Sequence, residues 1–212
     1  MWNPLNKSKD EKGPSITNTR IHVDQPLAVS TFATQMNLCL SLLHRPNQEL
    51  IILCIGTDRS TGDSLGPITG TKLIERGIDP DMVYGTLDNP VHAVNLHDTI
   101  QTISRKYQDP FIIAIDACLG RSESVGFISI KEGPLQPGTG VNKDLPAVGD
   151  LQVIGIVNVG GFMEYMVLQN TRLSLVMKMA DIISRGLSQC IEKPFLYPAS
   201  ETAVSSMESL ST

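Results

Sequence analysis

The stretch LIILCI at residues 50–55 is apolar throughout and closes at Gly56, and the stretch FIIAI at residues 111–115 runs directly into Asp116. Short runs rich in β-branched residues, without polar alternation, are typical of strands that are buried on both faces of a parallel sheet. These two stretches therefore predict the central strands of an α/β fold.

Helical and strand-like patterns alternate along the rest of the chain. Helices are predicted over residues 27–43, 67–76, 91–107 and 163–187, and further strands over residues 82–87, 125–131 and 151–157. This alternation predicts a three-layer α/β/α architecture, with a doubly wound, mainly parallel sheet of about five strands. We expect one domain over residues 26–190, a loosely attached N-terminal arm over residues 1–25 and a polar tail over residues 191–212.

Composition excludes several classes of protein. The chain has 212 residues, of which 41% are hydrophobic, and its net charge of −5 argues against a nucleic-acid binder that relies on phosphate contacts. The N-terminus lacks the apolar core of a secretory signal, and no apolar run reaches the roughly 18 residues that span a bilayer. The four cysteines are scattered without a CxxC pair, which disfavours a zinc knuckle and indicates a reduced compartment. We therefore expect a cytoplasmic protein that binds neither nucleic acid nor membrane.

Aspartates follow the two most apolar strands. Asp116 comes directly after its strand, and Asp63 lies one short loop beyond residue 55, just before the next predicted helix. In a doubly wound sheet of flavodoxin-like order, the first and third strands are neighbours about 4.8 Å apart, and ligands bind at their carboxyl ends. The two carboxylates would then share a crevice, where they could act as base and acid on a water molecule or hold a divalent metal. Each aspartate alone could instead cap a turn or a helix.

The loop over residues 56–64 (GTDRSTGDS) has a superficial likeness to a phosphate-binding loop. Five residues separate its glycines instead of four, and Asp63 stands where the phosphate-binding lysine would be. A serine nucleophile is also disfavoured, because no histidine follows Ser60 or Ser64 in a position that fits a catalytic triad.

Four blocks of sequence, in the same order, resemble the bacterial spore germination protease. They are GTD at 56–58 with TGDSLGP at 61–67, IIAIDA at 112–117 with RS at 121–122, QPGTGVNK at 136–143, and IGI at 154–156. At its length the chain is most similar to short sporulation relatives of that protease. The resemblance implies a phosphorylase/hydrolase-like fold, which the endopeptidases that mature nickel hydrogenases share.

The resemblance also implies a function. Asp63 and Asp116 lie in the blocks that hold the two catalytic aspartates of the germination protease, so they are expected to activate water for peptide hydrolysis. The expected partner is a protein or peptide substrate, such as the small acid-soluble spore proteins, in the forespore or spore core. No cofactor is expected, and no metal site, because the maturation endopeptidases use a later histidine and no histidine follows Asp116 here.

Substrate-binding residues are expected near the pair. Arg121 could hold a substrate carbonyl or lower the pKa of an aspartate, and Ser122 belongs to the same matching block. The glycine-rich loop that contains Gly138 and Lys143 could cover a substrate, because glycines permit close backbone approach.

The methionines of the last predicted helix, which are Met163, Met166, Met177 and Met179, are interpreted as core packing. Two alternatives to the peptidase remain open. One is a catalytically inactive sporulation protein that binds a partner in the same crevice. The other is a metal-dependent endopeptidase of the maturation type.

Overall fold

The computed structural model describes residues 19–137 and 145–192 as one sheet with helices on both faces. The strands are β1 (Thr19–His22), β2 (Leu50–Cys54), β3 (Val83–Tyr84), β4 (Phe111–Gly120), β5 (Phe127–Glu132) and β6 (Leu151–Val159). The helices are α1 (Ala28–Leu43), α2 (Leu65–Glu75), α3 (Leu96–Lys106), α4 (Glu164–Gln169) and α5 (Leu173–Ile191). A 3₁₀-helix at Gly62–Ser64 leads into α2.

The order of strands in the sheet is β1-β5-β6-β4-β2-β3. Strands β3, β2, β4 and β6 run parallel, whereas β5 is antiparallel to both β6 and β1. This arrangement confirms the predicted α/β fold with a mainly parallel sheet, although the sheet has six strands and not five. It also makes β2 and β4 neighbours, as the doubly wound topology requires.

The apolar run of β2 is explained by burial on both faces. Ile52 and Cys54 pack with the core that contains α1, α2 and α5, whereas Ile51 and Leu53 pack with the core that contains α3. Because helices cover both sides of this strand, every position must be apolar and no alternation can appear in its sequence.

Strand β1 lies within the predicted N-terminal arm. Ile21 pairs with Ile128 of β5 and is fully buried, which anchors residues 19–22 to the edge of the sheet. A four-residue strand is too short to display a hydrophobic period, so the sequence pattern did not reveal it. Residues 1–18 and 193–212 lie outside the described residues.

Two predicted helices have different boundaries. The pattern over residues 163–187 is divided into α4 and α5, because the chain turns at residues 170–172. The helix predicted from residue 91 begins at Leu96, because Val91 instead forms a parallel bridge to Ile55 that extends the β2 edge. Within the described part of the chain, none of the helices has the length and hydropathy that a membrane crossing requires.

Candidate active site

Strand β4 extends further than its neighbour β2 at the carboxyl edge of the sheet. The last contact between them joins the Ile55 amide to the Ile115 carbonyl at 2.7 Å. Asp116 is therefore the first residue of β4 beyond this ladder, and the 3₁₀-helix that carries Asp63 packs against β4. Both aspartate side chains are half-buried, so they remain within reach of water.

The loop between β2 and α2 folds back on itself and fixes the backbone of Asp63. The amide of Thr57 donates a hydrogen bond to the Asp63 carbonyl at 3.1 Å. Gly56 has a φ of +144°, and a Cβ at this position would lie 1.9 Å from the Asp63 carbonyl oxygen. Only glycine permits both this backbone conformation and this close approach.

The turn between α4 and α5 supports the same loop from the other side. A Cβ at Gly62 would lie 2.9 Å from the hydroxyl oxygen of Thr171, which shows how closely the residue before Asp63 packs on this turn. The side-chain amide of Asn158, near the end of β6, donates hydrogen bonds of 3.2 Å to the Val167 carbonyl and to the Thr171 hydroxyl. The position of Asp63 thus depends on residues from three separate parts of the chain.

Burial dominates the electrostatics of the pair. It raises the pKa of Asp116 to about 8, with the charge of Asp63 adding to the increase and the hydrogen bond donated by the Ala117 amide at 2.8 Å opposing it. Burial also raises the pKa of Asp63. Because the charge of Asp63 disfavours ionisation of Asp116, we take Asp63 to ionise first, while Asp116 keeps its proton at neutral pH.

Such a pair provides two complementary groups on elements that pack against each other at this edge of the sheet. A carboxylate can accept a proton from water, and a neighbouring protonated carboxyl can donate one. Environments that push two pKa values apart are the means by which proteins assign these two roles. The arrangement is therefore suited to acid–base chemistry near neutral pH.

The other predicted site residues have different outcomes. Arg121 is exposed on the turn after β4, where its carbonyl accepts a hydrogen bond of 2.9 Å from the Ser124 amide. Ser122 is exposed on the same turn, and its hydroxyl donates to the Glu123 carboxylate at 3.3 Å. Their contact with a substrate stays a prediction, and the predictions for Gly138 and Lys143 fall outside the described residues.

A divalent metal ion is the other group that the aspartate pair could hold. Within residues 19–137 and 145–192, no group of three or more His, Cys, Asp or Glu side chains is arranged to hold a metal ion. A metal ion at the aspartate pair would therefore require further ligands from water, from a substrate or from the remainder of the chain.

An apolar surface at the same edge of the sheet was missed by the sequence analysis. Its exposed members are Val159, Phe162, Met163, Tyr165 and Met166, and we call them the Phe162 surface. The interpretation of the methionines as core packing is right for Met179, which is fully buried, but wrong for Met163, Met166 and Met177, which are exposed. The sequence signal for this surface was the pair Gly160–Gly161, which follows a strand and is followed at once by an aromatic residue.

Comparison with known proteins identifies a family, a relative and a solved structure to which this chain is similar. A family profile described as "Protein of unknown function (DUF1256)" matches residues 20–186. The curated protein described as "Uncharacterized protein YyaC" of Bacillus subtilis (strain 168) is 54% identical over 167 residues, which covers 79% of this chain and 82% of that protein. Among solved structures, the [NiFe] hydrogenase maturation protease HycI of Thermococcus kodakarensis KOD1 aligns with a TM-score of 0.49 and 13% identity, covering 73% of this chain and 99% of that chain.

Proposed function

We propose a hydrolytic function for this chain, which belongs to the DUF1256 family of proteins of unknown function. The chain acts as an endopeptidase in which Asp63 and Asp116 activate water against a peptide bond. Its substrates are proteins of the sporulating cell, with the small acid-soluble spore proteins as the first candidates. It works in the cytoplasm of the forespore or in the spore core.

One observation carries the proposal. Two half-buried carboxyls from distant segments interact electrostatically where β4 extends beyond β2, and the pKa of one of them is raised to about 8. An aspartate that serves only as a turn cap accepts hydrogen bonds as a carboxylate, and its pKa falls as a result. The raised pKa of Asp116 instead suits an acid that keeps its proton at neutral pH.

The proposed reaction assigns one role to each aspartate. The Asp63 carboxylate accepts a proton from water while the water oxygen attacks the peptide carbonyl carbon. The protonated Asp116 then donates its proton to the amide nitrogen, and the carbon–nitrogen bond breaks to release an amine and a carboxylic acid. The proton taken by Asp63 afterwards returns to Asp116 or to solvent, which restores the starting state.

The sequence blocks that resemble the germination protease support the choice of substrate. They include both aspartates and the turn that follows Asp116. The exposed apolar side chains of the Phe162 surface favour a second function, in which the chain binds a partner protein without cleaving it.

The test is a cleavage assay with the purified full chain and small acid-soluble spore proteins, in which mass spectrometry identifies the products. We expect Asp63→Asn and Asp116→Asn each to lower the rate by about 10²–10⁴-fold. The matched control is Asp98→Asn, at an exposed aspartate in the first turn of α3, which should retain the full rate.

Three outcomes would redirect the proposal. An intact substrate after prolonged incubation between pH 5 and 9, together with stable binding, would favour the inactive binding protein. Cleavage at an unchanged rate in both aspartate variants would remove the mechanism. Loss of cleavage on adding a chelator, with recovery on adding a divalent metal, would favour the metal-dependent endopeptidase.

A further inference from the structure

We infer that the cavity beside Phe162 is a subsite that binds an uncharged, apolar side chain of a polypeptide substrate, an inference that rests on the proposed function. The cavity has a volume of about 570 Å³ and opens at the carboxyl edge of the sheet. The cavity is largely open to solvent, and a volume of this size can accept an amino-acid side chain.

The residues that line the cavity belong to elements that contact both segments that carry the aspartates. Val159 pairs with Gly120 at the end of β4, and the Gly160 amide donates a hydrogen bond of 2.7 Å to the Gly120 carbonyl. Gly120 lies four residues beyond Asp116 on the same strand, which corresponds to about 13 Å. An extended polypeptide at the aspartates would therefore reach the cavity within about four residues.

Helix α4 forms the second connection. Leu168 on this helix packs against Gly62, the residue that precedes Asp63, while Met163 and Met166 at the start of the same helix line the cavity. A substrate side chain in the cavity thus contacts α4, the helix against which the loop that carries Asp63 packs.

The backbone of the loop after β6 displays Phe162 to solvent. Gly161 has a φ of +146° and Met163 a φ of +59°, so the residues on both sides of Phe162 adopt left-handed conformations. The Gly161 amide interacts with the Glu164 carboxylate at 3.4 Å. Phe162 is 90% exposed as a result.

The lining selects against charge. None of the nine residues that line the cavity is charged. The two asparagines among them already donate hydrogen bonds within the chain, Asn158 to the Val167 carbonyl and Asn170 to the Met166 carbonyl. A substrate carboxylate would lose hydration there without gaining a partner, whereas an apolar side chain would cover exposed apolar surface. The flexible methionines allow the cavity to adapt to more than one apolar shape.

Binding can be tested without catalysis. The full chain carrying Asp116→Asn is labelled with ¹³C at the methionine methyl groups and titrated with N-acetyl-phenylalanine amide. We expect the Met163 and Met166 signals to shift and the signal of the fully buried Met179 to stay in place. N-acetyl-glutamate amide should leave all three signals unchanged, because the cavity offers no counter-charge.

Two variants add a matched comparison. Phe162→Asp should weaken the binding of N-acetyl-phenylalanine amide at least tenfold. Val94→Asp, at an apolar residue that is 79% exposed outside the Phe162 surface, should leave it unchanged. Both side chains are exposed, so neither substitution removes core packing.

The outcomes separate the subsite from the peptidase. If the wild-type chain cleaves peptides, Phe162→Asp should raise KM for sequences with an apolar residue near the cut more than it changes kcat. Binding at Met163 and Met166 without any cleavage by the wild-type chain would support the subsite and overturn the peptidase alone. Unshifted Met163 and Met166 signals, or equal binding of the glutamate amide, would overturn the subsite even where cleavage is observed.

Discussion

The charge of Asp63 acts on Asp116 and contributes to a pKa of about 8 at that residue. The two residues belong to different strand–loop units, so their interaction exists only because β2 and β4 are adjacent and β2 ends first. Burial is the larger cause of the raised pKa of Asp116, and the charge of Asp63 adds to it.

The pH dependence of cleavage should report the pair. We expect a bell-shaped profile whose alkaline limb has a midpoint of about 8, because the acid form of Asp116 is lost there, and whose acidic limb reflects protonation of Asp63. Initial rates measured from pH 4 to 10 test this, with Asp98→Asn as a control that should reproduce the wild-type curve. A constant rate up to pH 10 would contradict the role of Asp116 as the acid. The two pKa values that such a profile reports are macroscopic and belong to the pair as a whole.

Stability should also depend on Asp116. Its pKa in the folded chain, about 8, is higher than the ordinary value of 3.8, so the protonated form favours folding. The contribution is fully present below about pH 4 and is lost as the pH rises towards 8 and beyond.

Asp116→Asn mimics the protonated carboxyl and removes this loss. The free energy of unfolding of the variant, relative to that of the wild type, should therefore increase between pH 4 and 9 by about 1–4 kcal/mol. Urea denaturation at four or five pH values across that interval measures the difference. If the difference in the free energy of unfolding between the variant and the wild type stays constant with pH, Asp116 ionises in the folded chain as it does in the unfolded one.

Gly56 should be essential for the position of Asp63. Gly56→Ala introduces a Cβ at 1.9 Å from the Asp63 carbonyl oxygen, so we expect a loss of more than about 3 kcal/mol in the free energy of unfolding. Gly77→Ala is the matched control, because Gly77 also has a positive φ but no atom lies within 4 Å of its added Cβ. Gly77→Ala should lower the free energy of unfolding by only about 1–2 kcal/mol, because alanine is strained in a left-handed backbone conformation. Equal losses in the two variants, measured by denaturation, would mean that the loop moves away from Gly56 without difficulty.

Asn158 should stabilise the turn on which the Asp63 loop rests. Asn158→Leu leaves the Val167 carbonyl and the Thr171 hydroxyl without this donor, so a loss of about 1–3 kcal/mol is expected. Asn170→Leu, at an exposed residue whose side chain donates to the Met166 carbonyl in the preceding turn, should cost less than about 1 kcal/mol. Thermal and urea denaturation of the two variants side by side provide the comparison, and the reverse ranking would refute the support that Asn158 is expected to give.

The central strands and the adjacency of β2 and β4 were predictable from sequence. Apolar runs without alternation mark strands covered on both faces, and the alternation of elements makes the first and third of them neighbours. The four-residue β1 was not predictable, because Ile21 is its only fully buried residue and a single apolar position carries no period. The division between α4 and α5 was also missed, because the turn is held by a hydrogen bond from Asn158 to Thr171, two residues 13 positions apart, and a helical pattern does not display such a contact.

The amino-acid order alone indicates the α/β fold of this chain and its central strands, because a strand between two helical layers must be apolar. It does not fix where β4 ends, since this strand continues past Asp116 to Gly120 by pairing with β6. Tertiary packing sets the protonation state of Asp116, the position of the loop that carries Asp63 and the exposure of Phe162. Each of these depends on which distant groups surround a side chain, and desolvation, charge and contact act through space and not along the chain.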